Sequence, residues 1–180
     1  MATEVDDLVH SVERTRAALL ESVADLREDQ GAFKPSAHEW SIAEILEHLF
    51  LAELGGITKV WAALDDLRSG KRWSGELPNR GKRIDEIIAA TWRPKETAPA
   101  VATPHWGGPL AAWISSQRCL THLLRDLATQ LEGQSLDAIV FPHFLSGPLD
   151  ARQRLEFLRF HIERHGEQVR HVRSHPSFPK

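Results

Sequence analysis

The sequence predicts an all-α fold, a four-helix bundle with one long crossover, on three observations. Four segments repeat apolar residues at alternating three- and four-residue intervals, the spacing of a bundle seam. Two of these segments open on a capping box, in which a short polar side chain and a Glu or Gln three residues later satisfy each other's backbone N–H groups. No stretch shows a convincing strand pattern, and no internal repeat is present.

The first helix is expected over residues 3–27, with Val5, Leu8, Val12, Leu19, Val23 and Leu26 on one stripe. The second, over 41–69, begins at "WSIAEILEHLF": Ser41 and Glu44 form the box and Ile42, Ile45, Leu49 and Ala52 the stripe. His48 sits at the edge of that stripe, while Glu47 and Leu54 mark a solvent-facing arc. The third, 110–131, repeats Leu110, Trp113, Gln117, Leu120, Leu124, Leu127 and Leu131 and stops at Gly133. Gln117 is the polar member of that seam, either a hydrogen-bonded core amide or a group facing a polar pocket. The fourth, 150–174, opens on Asp150 boxed with Gln153 and carries Leu155, Leu158, Ile162, His165, Val169 and Val172. Moderate loops join the first helix to the second and the third to the fourth. The second and third are separated by about forty residues, 69–109, more than antiparallel neighbours need. This proline-punctuated crossover contains a short helix over 81–92, with Ile84, Ile87, Ile88 and Trp92 on its apolar side.

Composition narrows the function classes. A chain of 180 residues suits a single domain, residues 1–180, with one sizeable core. Hydrophobic residues at 42% and charged residues at 26% are ordinary for a globular protein, and no run reaches the 18 apolar residues that a membrane helix requires. The opening "MATEVDDLVHSVERTR" is acidic where a signal peptide is basic, so a cytoplasmic location is expected. The lone Cys119 excludes an internal disulfide framework and a multi-cysteine zinc site, and its place beside the seam suggests a small buried residue. A net charge of −3 and a pI near 6.4 make no electrostatic case for nucleic acid.

The chemistry is carried by "FHIERHGEQVRH", residues 160–171, where two histidines stand four apart on the fourth helix. Positions i and i+4 differ by about 40° around a helix axis and about 6 Å along it, so both imidazoles can close on one metal ion. A zinc-protease signature would need a glutamate directly after the first histidine; Ile162 stands there, and Glu163 points off the histidine face. His165 occupies a seam position, where an unpartnered imidazole is costly. His48 is the best third ligand, since bundle cores build metal sites from facing helices. Three imidazoles leave a coordination position open, as catalytic sites do. Nitrogen donors suit zinc, nickel, iron or copper rather than calcium or magnesium.

Together these residues resemble the DinB/YfiT-like family of metal-dependent enzymes. Its pattern is a tryptophan and a small polar residue opening a helix with one histidine, then H-x-x-x-H with a glutamine three residues beyond. Trp40, Ser41 and His48 in "WSIAEILEHL" match the first part; Gly147, Leu149, His161, His165 and Gln168 in "GPLDARQRLEFLRFHIERHGEQV" match the second. The resemblance implies an up-down-down-up bundle, which accounts for the long crossover. It also implies a divalent metal on His48, His161 and His165, zinc or nickel first and iron next. Its better-understood relatives include transferases and isomerases that use low-molecular-weight thiols, so an S-transferase or isomerase is expected, with a small-molecule substrate and, separately from the resemblance, a homodimer as the candidate assembly. The family often has a histidine followed by a proline before the last helix; "FPHF" reverses that order, and no role is carried onto His143.

Two function classes follow. One is a metal-dependent enzyme, a thiol-dependent transferase or isomerase or else a hydrolase; the other is a helical binding protein stapled by its metal. Supporting roles fall to Glu44, one turn before His48 but most simply the partner of Ser41, to Gln117, and to Gln168 as a hydrogen-bond partner of a ligand. Trp40 is read as a packing residue at the helix start.

Overall fold

The computed structural model describes residues 3–93 and 96–180, so Pro94 of the crossover lies outside the described residues. In chain order the elements are α1 (Glu4–Glu21), α2 (Glu28–Gly31), α3 (Ile42–Arg68), α4 (Ile84–Thr91), α5 (Leu110–Leu131), β1 (Val140–His143), β2 (Gly147–Asp150) and α6 (Ala151–Arg173). The fold is mostly helical. The four long helices lie close to the spans their periodicity predicts, α3 packing on α5 and α6, and α1 on α6 and α5. Val12, Ile42, Leu49, Leu64, Leu120, Leu124, Leu127 and Leu131 are fully buried in the shared core. Both capping boxes form: Ser41 with Glu44, and Asp150 with Gln153.

Three expectations change. The first helix ends at Glu21 rather than residue 27. Ser22 Oγ donates to the Leu19 carbonyl at 2.6 Å, and such local side-chain bonds compete with the helical ladder. Val23 and Leu26 still face the core from the turn that follows. That turn leads into α2, whose Glu28 accepts from the backbone N–H of Leu110 at 2.9 Å and of Ala111 at 3.4 Å. A residue distant in sequence thereby caps α5, whose own N-cap, Pro109, has no side-chain donor or acceptor.

Second, the fold is not purely helical: β1 and β2 pair antiparallel, with Val140 opposite Asp150 and His143 opposite Gly147. Each strand is four residues long and contains a proline, a residue depleted from strands, so neither length nor composition announces it. Third, Cys119 is exposed, because it lies one step off the buried Leu120 on the outer side of α5.

A buried ion pair ties α1 to α3. Arg16 Nη2 donates to Glu53 Oε2 at 2.6 Å, and the residues are 1% and 0% exposed. Burial pushes the Glu53 carboxyl up and Arg16 opposes the shift, while Arg16 Nε and Glu53 Oε1 have no partner. Desolvation of such a pair offsets much of its attraction, but removal of one member strands the other. Arg16→Ala is therefore expected to lose roughly 3–5 kcal/mol in urea unfolding. The double replacement Arg16→Met with Glu53→Leu should match or exceed the wild type. Equal losses in the two variants would contradict this account.

Candidate metal centre

α6 presents His161 and His165 one turn apart, and α3 brings His48 against them. All three are about 95% buried. His48 Nε2 lies 3.2 Å from His161 Nε2, and His165 Nε2 lies 3.1 Å from the same atom. The three can each offer one nitrogen within 4.8 Å of the others, close enough to hold one ion. Nitrogens sharing a tetrahedral zinc at 2.0–2.1 Å stand about 3.3–3.4 Å apart, and the distances from His161 to His48 and to His165 lie close to that spacing.

The outer nitrogens fix the tautomers. His48 Nδ1 faces the Ala102 carbonyl at 2.7 Å, and His165 Nδ1 faces Gln168 Oε1 at 2.6 Å. Both partners only accept, so each Nδ1 carries the proton and each Nε2 turns a lone pair toward His161. Lone pairs converging in a dry site repel one another unless a cation or proton lies between them. Burial is the leading cause that lowers the proton affinity of all three rings, bringing His165 down to about 3. Near neutral pH the rings are thus in the form a metal requires.

Of the supporting candidates, Gln168 reaches a histidine. Glu44 does not: its carboxylate bonds Lys34 Nζ at 2.8 Å and the Ser41 backbone N–H at 2.8 Å. Gln117 is a core amide whose Nε2 donates to the Leu46 carbonyl at 3.1 Å, away from the imidazoles. Trp40 packs as expected, but on the imidazoles themselves, its ring 4.8 Å from that of His48 and 6.4 Å from that of His165.

Glu47 corrects the expected solvent-facing arc, being 1% exposed. Its oxygens accept from the backbone N–H groups of His105 and Trp106, both at 2.6 Å, and of Gly107 at 3.1 Å. The crossover is thereby fastened over α3 close to Ala102, the partner of His48. His143 likewise had no assigned role, yet the hairpin buries it with its ring 4.6 Å from that of Phe157, which stacks on His161 at 5.5 Å. The signal was in the sequence, a histidine next to a proline ahead of the last helix. Without the hairpin its direction was not legible.

The imidazoles line a cavity of about 190 Å³. Trp40, Trp92, Phe144 and Phe157 supply its apolar walls, and Lys59, Arg154 and Arg164 also reach it. A sequence model described as the DinB superfamily matches residues 11–169. No curated protein and no solved structure matches the chain.

Buried neutral histidines make the metal-free protein sensitive to acid. His143 and His165 protonate near 3 in the fold, and His48 and His161 are also lowered, whereas the unfolded chain protonates near 6.5. Below 6.5 the unfolded state therefore binds more protons, and stability falls with pH until the folded rings also titrate near 3. The melting temperature of chelator-treated protein should drop between about pH 7.5 and about pH 5, above the range where most carboxylates titrate. A flat profile across that interval would contradict the buried neutral rings.

Proposed function

The chain belongs to the DinB superfamily, and from that premise we propose that it is a metal-dependent enzyme acting on a small molecule with a low-molecular-weight thiol, as an S-transferase or isomerase. On this reading His48, His161 and His165 hold the ion, and the four long helices form a bundle of up-down-down-up order. One observation carries the reading: three Nε2 atoms from two helices meet at the wall of a cavity, two of them with the outer nitrogen committed to a fixed acceptor. Zinc or nickel suits such donors best, with iron next. When bound, the ion supplies the Lewis acidity that keeps a thiol or a water ionised near neutral pH.

The chain's own residues supply position and environment. The Ala102 carbonyl and Gln168 hold two rings in orientation, as groups behind metal ligands do. Trp40 covers the His48 and His165 rings, and Trp92 and Phe157 flank His161, so bulk water is displaced and charges act at low dielectric. A purely structural staple needs no adjoining cavity, so the cavity favours the enzyme reading. A hydrolase would use the same three imidazoles without the thiol.

Metal analysis of the purified protein, followed by titration of the cobalt-substituted form with 2-mercaptoethanol, tests both parts. One equivalent of metal and a new near-ultraviolet absorption on adding thiol are expected. Metal without a thiol response would remove the thiol and leave the hydrolase. His48→Ala should weaken metal binding by about tenfold or more with helical content retained. His38→Ala, on an exposed residue outside the site, should bind as wild type. If the two variants bind alike, the three-histidine reading is lost.

A further inference from the structure

Arg154 lies on α6 seven residues before His161, on the same face of the helix. It is 6% exposed and makes no hydrogen bond or ion pair among the described residues, its Nε and Nη1 being buried without a partner. Buried guanidinium groups are ordinarily paired with a carboxylate, because removal from water is costly. Here the contacts are with aromatic faces: its Cζ lies 4.7 Å from the ring centre of Phe141 and 5.3 Å from that of Phe157. Burial lowers the group only to about 10, so it remains charged near neutral pH.

The surroundings suit an anionic partner. Arg154 lines the cavity that the three imidazoles also line. Gly56 leaves the room it occupies, since a Cβ there would stand 3.0 Å from Nη2. His143, in the same wall, accepts at Nδ1 from the backbone N–H groups of Ser146 at 3.1 Å and Leu145 at 3.4 Å. Its proton is therefore on Nε2, making it a neutral donor. Lys59 adds a third positive or donating group. Glu96 is the acidic residue of the lining, and its Oε1 is engaged by the Arg93 backbone N–H.

We propose that Arg154 and His143 form a carboxylate-binding subsite, so that the molecule entering the cavity is a small organic acid with its ionised end on Arg154 and its other end against the imidazoles. The placement of the second end rests on the metal-enzyme reading above; the subsite itself does not. Arg154 and His161 stand seven residues apart on α6, about 10 Å along its axis, a separation that a six-carbon acid spans once the contact distances at its two ends are added. A flat, two-oxygen group suits the planar guanidinium fork, and the apolar walls suit a short hydrocarbon body.

Hexanoate and 1-hexanol, which share a hydrocarbon body, are the probes, titrated into chelator-treated protein with tryptophan fluorescence as the readout. Hexanoate should bind about tenfold more tightly than the alcohol, a charge-assisted bond replacing a neutral contact. Arg154→Met should abolish that preference and leave hexanol binding unchanged, and Arg154→Lys should keep part of it. Removing an unpaired buried charge should also leave the melting temperature equal or higher. No preference in the wild type, a preference retained in Arg154→Met, or inorganic phosphate binding more tightly than hexanoate would overturn the proposal. If Arg154→Met does not fold, Arg154 is a structural residue and the proposal falls. A chain that takes no metal but still prefers hexanoate keeps the subsite and loses the metal reading; one that binds metal and shows no preference does the reverse.

Discussion

The carboxylate of Glu47 gathers the backbone N–H groups of three consecutive residues, His105 to Gly107, and much of the site depends on that attachment. A charged acceptor bonded to several amides is among the stronger polar contacts available in a protein. It holds a long segment of irregular backbone against α3, and the same segment supplies the Ala102 carbonyl that orients His48. Residues 47 and 48 thus divide the work: one secures the crossover, and the other uses an acceptor that the crossover brings.

The second support comes from the far side. Asn79 Nδ2 donates to the carbonyls of Ser146 and Pro148, and Gln153 Nε2 donates to those of Asn79 and Lys82. Trp92 Nε1 and the Thr91 hydroxyl both reach Ser146 Oγ at 3.1 Å. The crossover, the hairpin and the start of α6 are thereby joined through side-chain amides and a hydroxyl rather than through packing alone. Gln153 serves twice, completing the cap of its own helix with Oε1 and binding the crossover with Nε2.

The long helices and the histidine cluster were readable in sequence because both follow helical period. A stripe such as Leu120, Leu124, Leu127 and Leu131 is local information, and so is the interval between His161 and His165. What could not be read depends on contacts distant along the chain. Glu47 seemed to face solvent because its three donors lie about sixty residues away in a segment without periodicity. Gln168 was legible as a neighbour of His165, whereas Ala102 as the partner of His48 was not, since any carbonyl can serve. Arg154 gave no sign, because an arginine on a helix is ordinarily solvated, and the hairpin, Phe157 and Gly56 of α3 that enclose it meet only in the fold.

The pairing of Pro142 with Pro148 has a further consequence. In an antiparallel ladder, opposed residues that exchange no hydrogen bonds with each other turn their N–H groups outward. Two prolines fill such a pair here, and neither has an N–H to present. The hairpin is a two-stranded ribbon whose edges carry no further strand among the described residues, the form most exposed to strand addition by another chain. Asn79 of the crossover already occupies the Pro148 carbonyl on one edge. With its outward donors missing at the centre of each edge, the ribbon makes a poor template for a third strand. The protein can therefore keep a short sheet beside its cavity without inviting edge-to-edge association there.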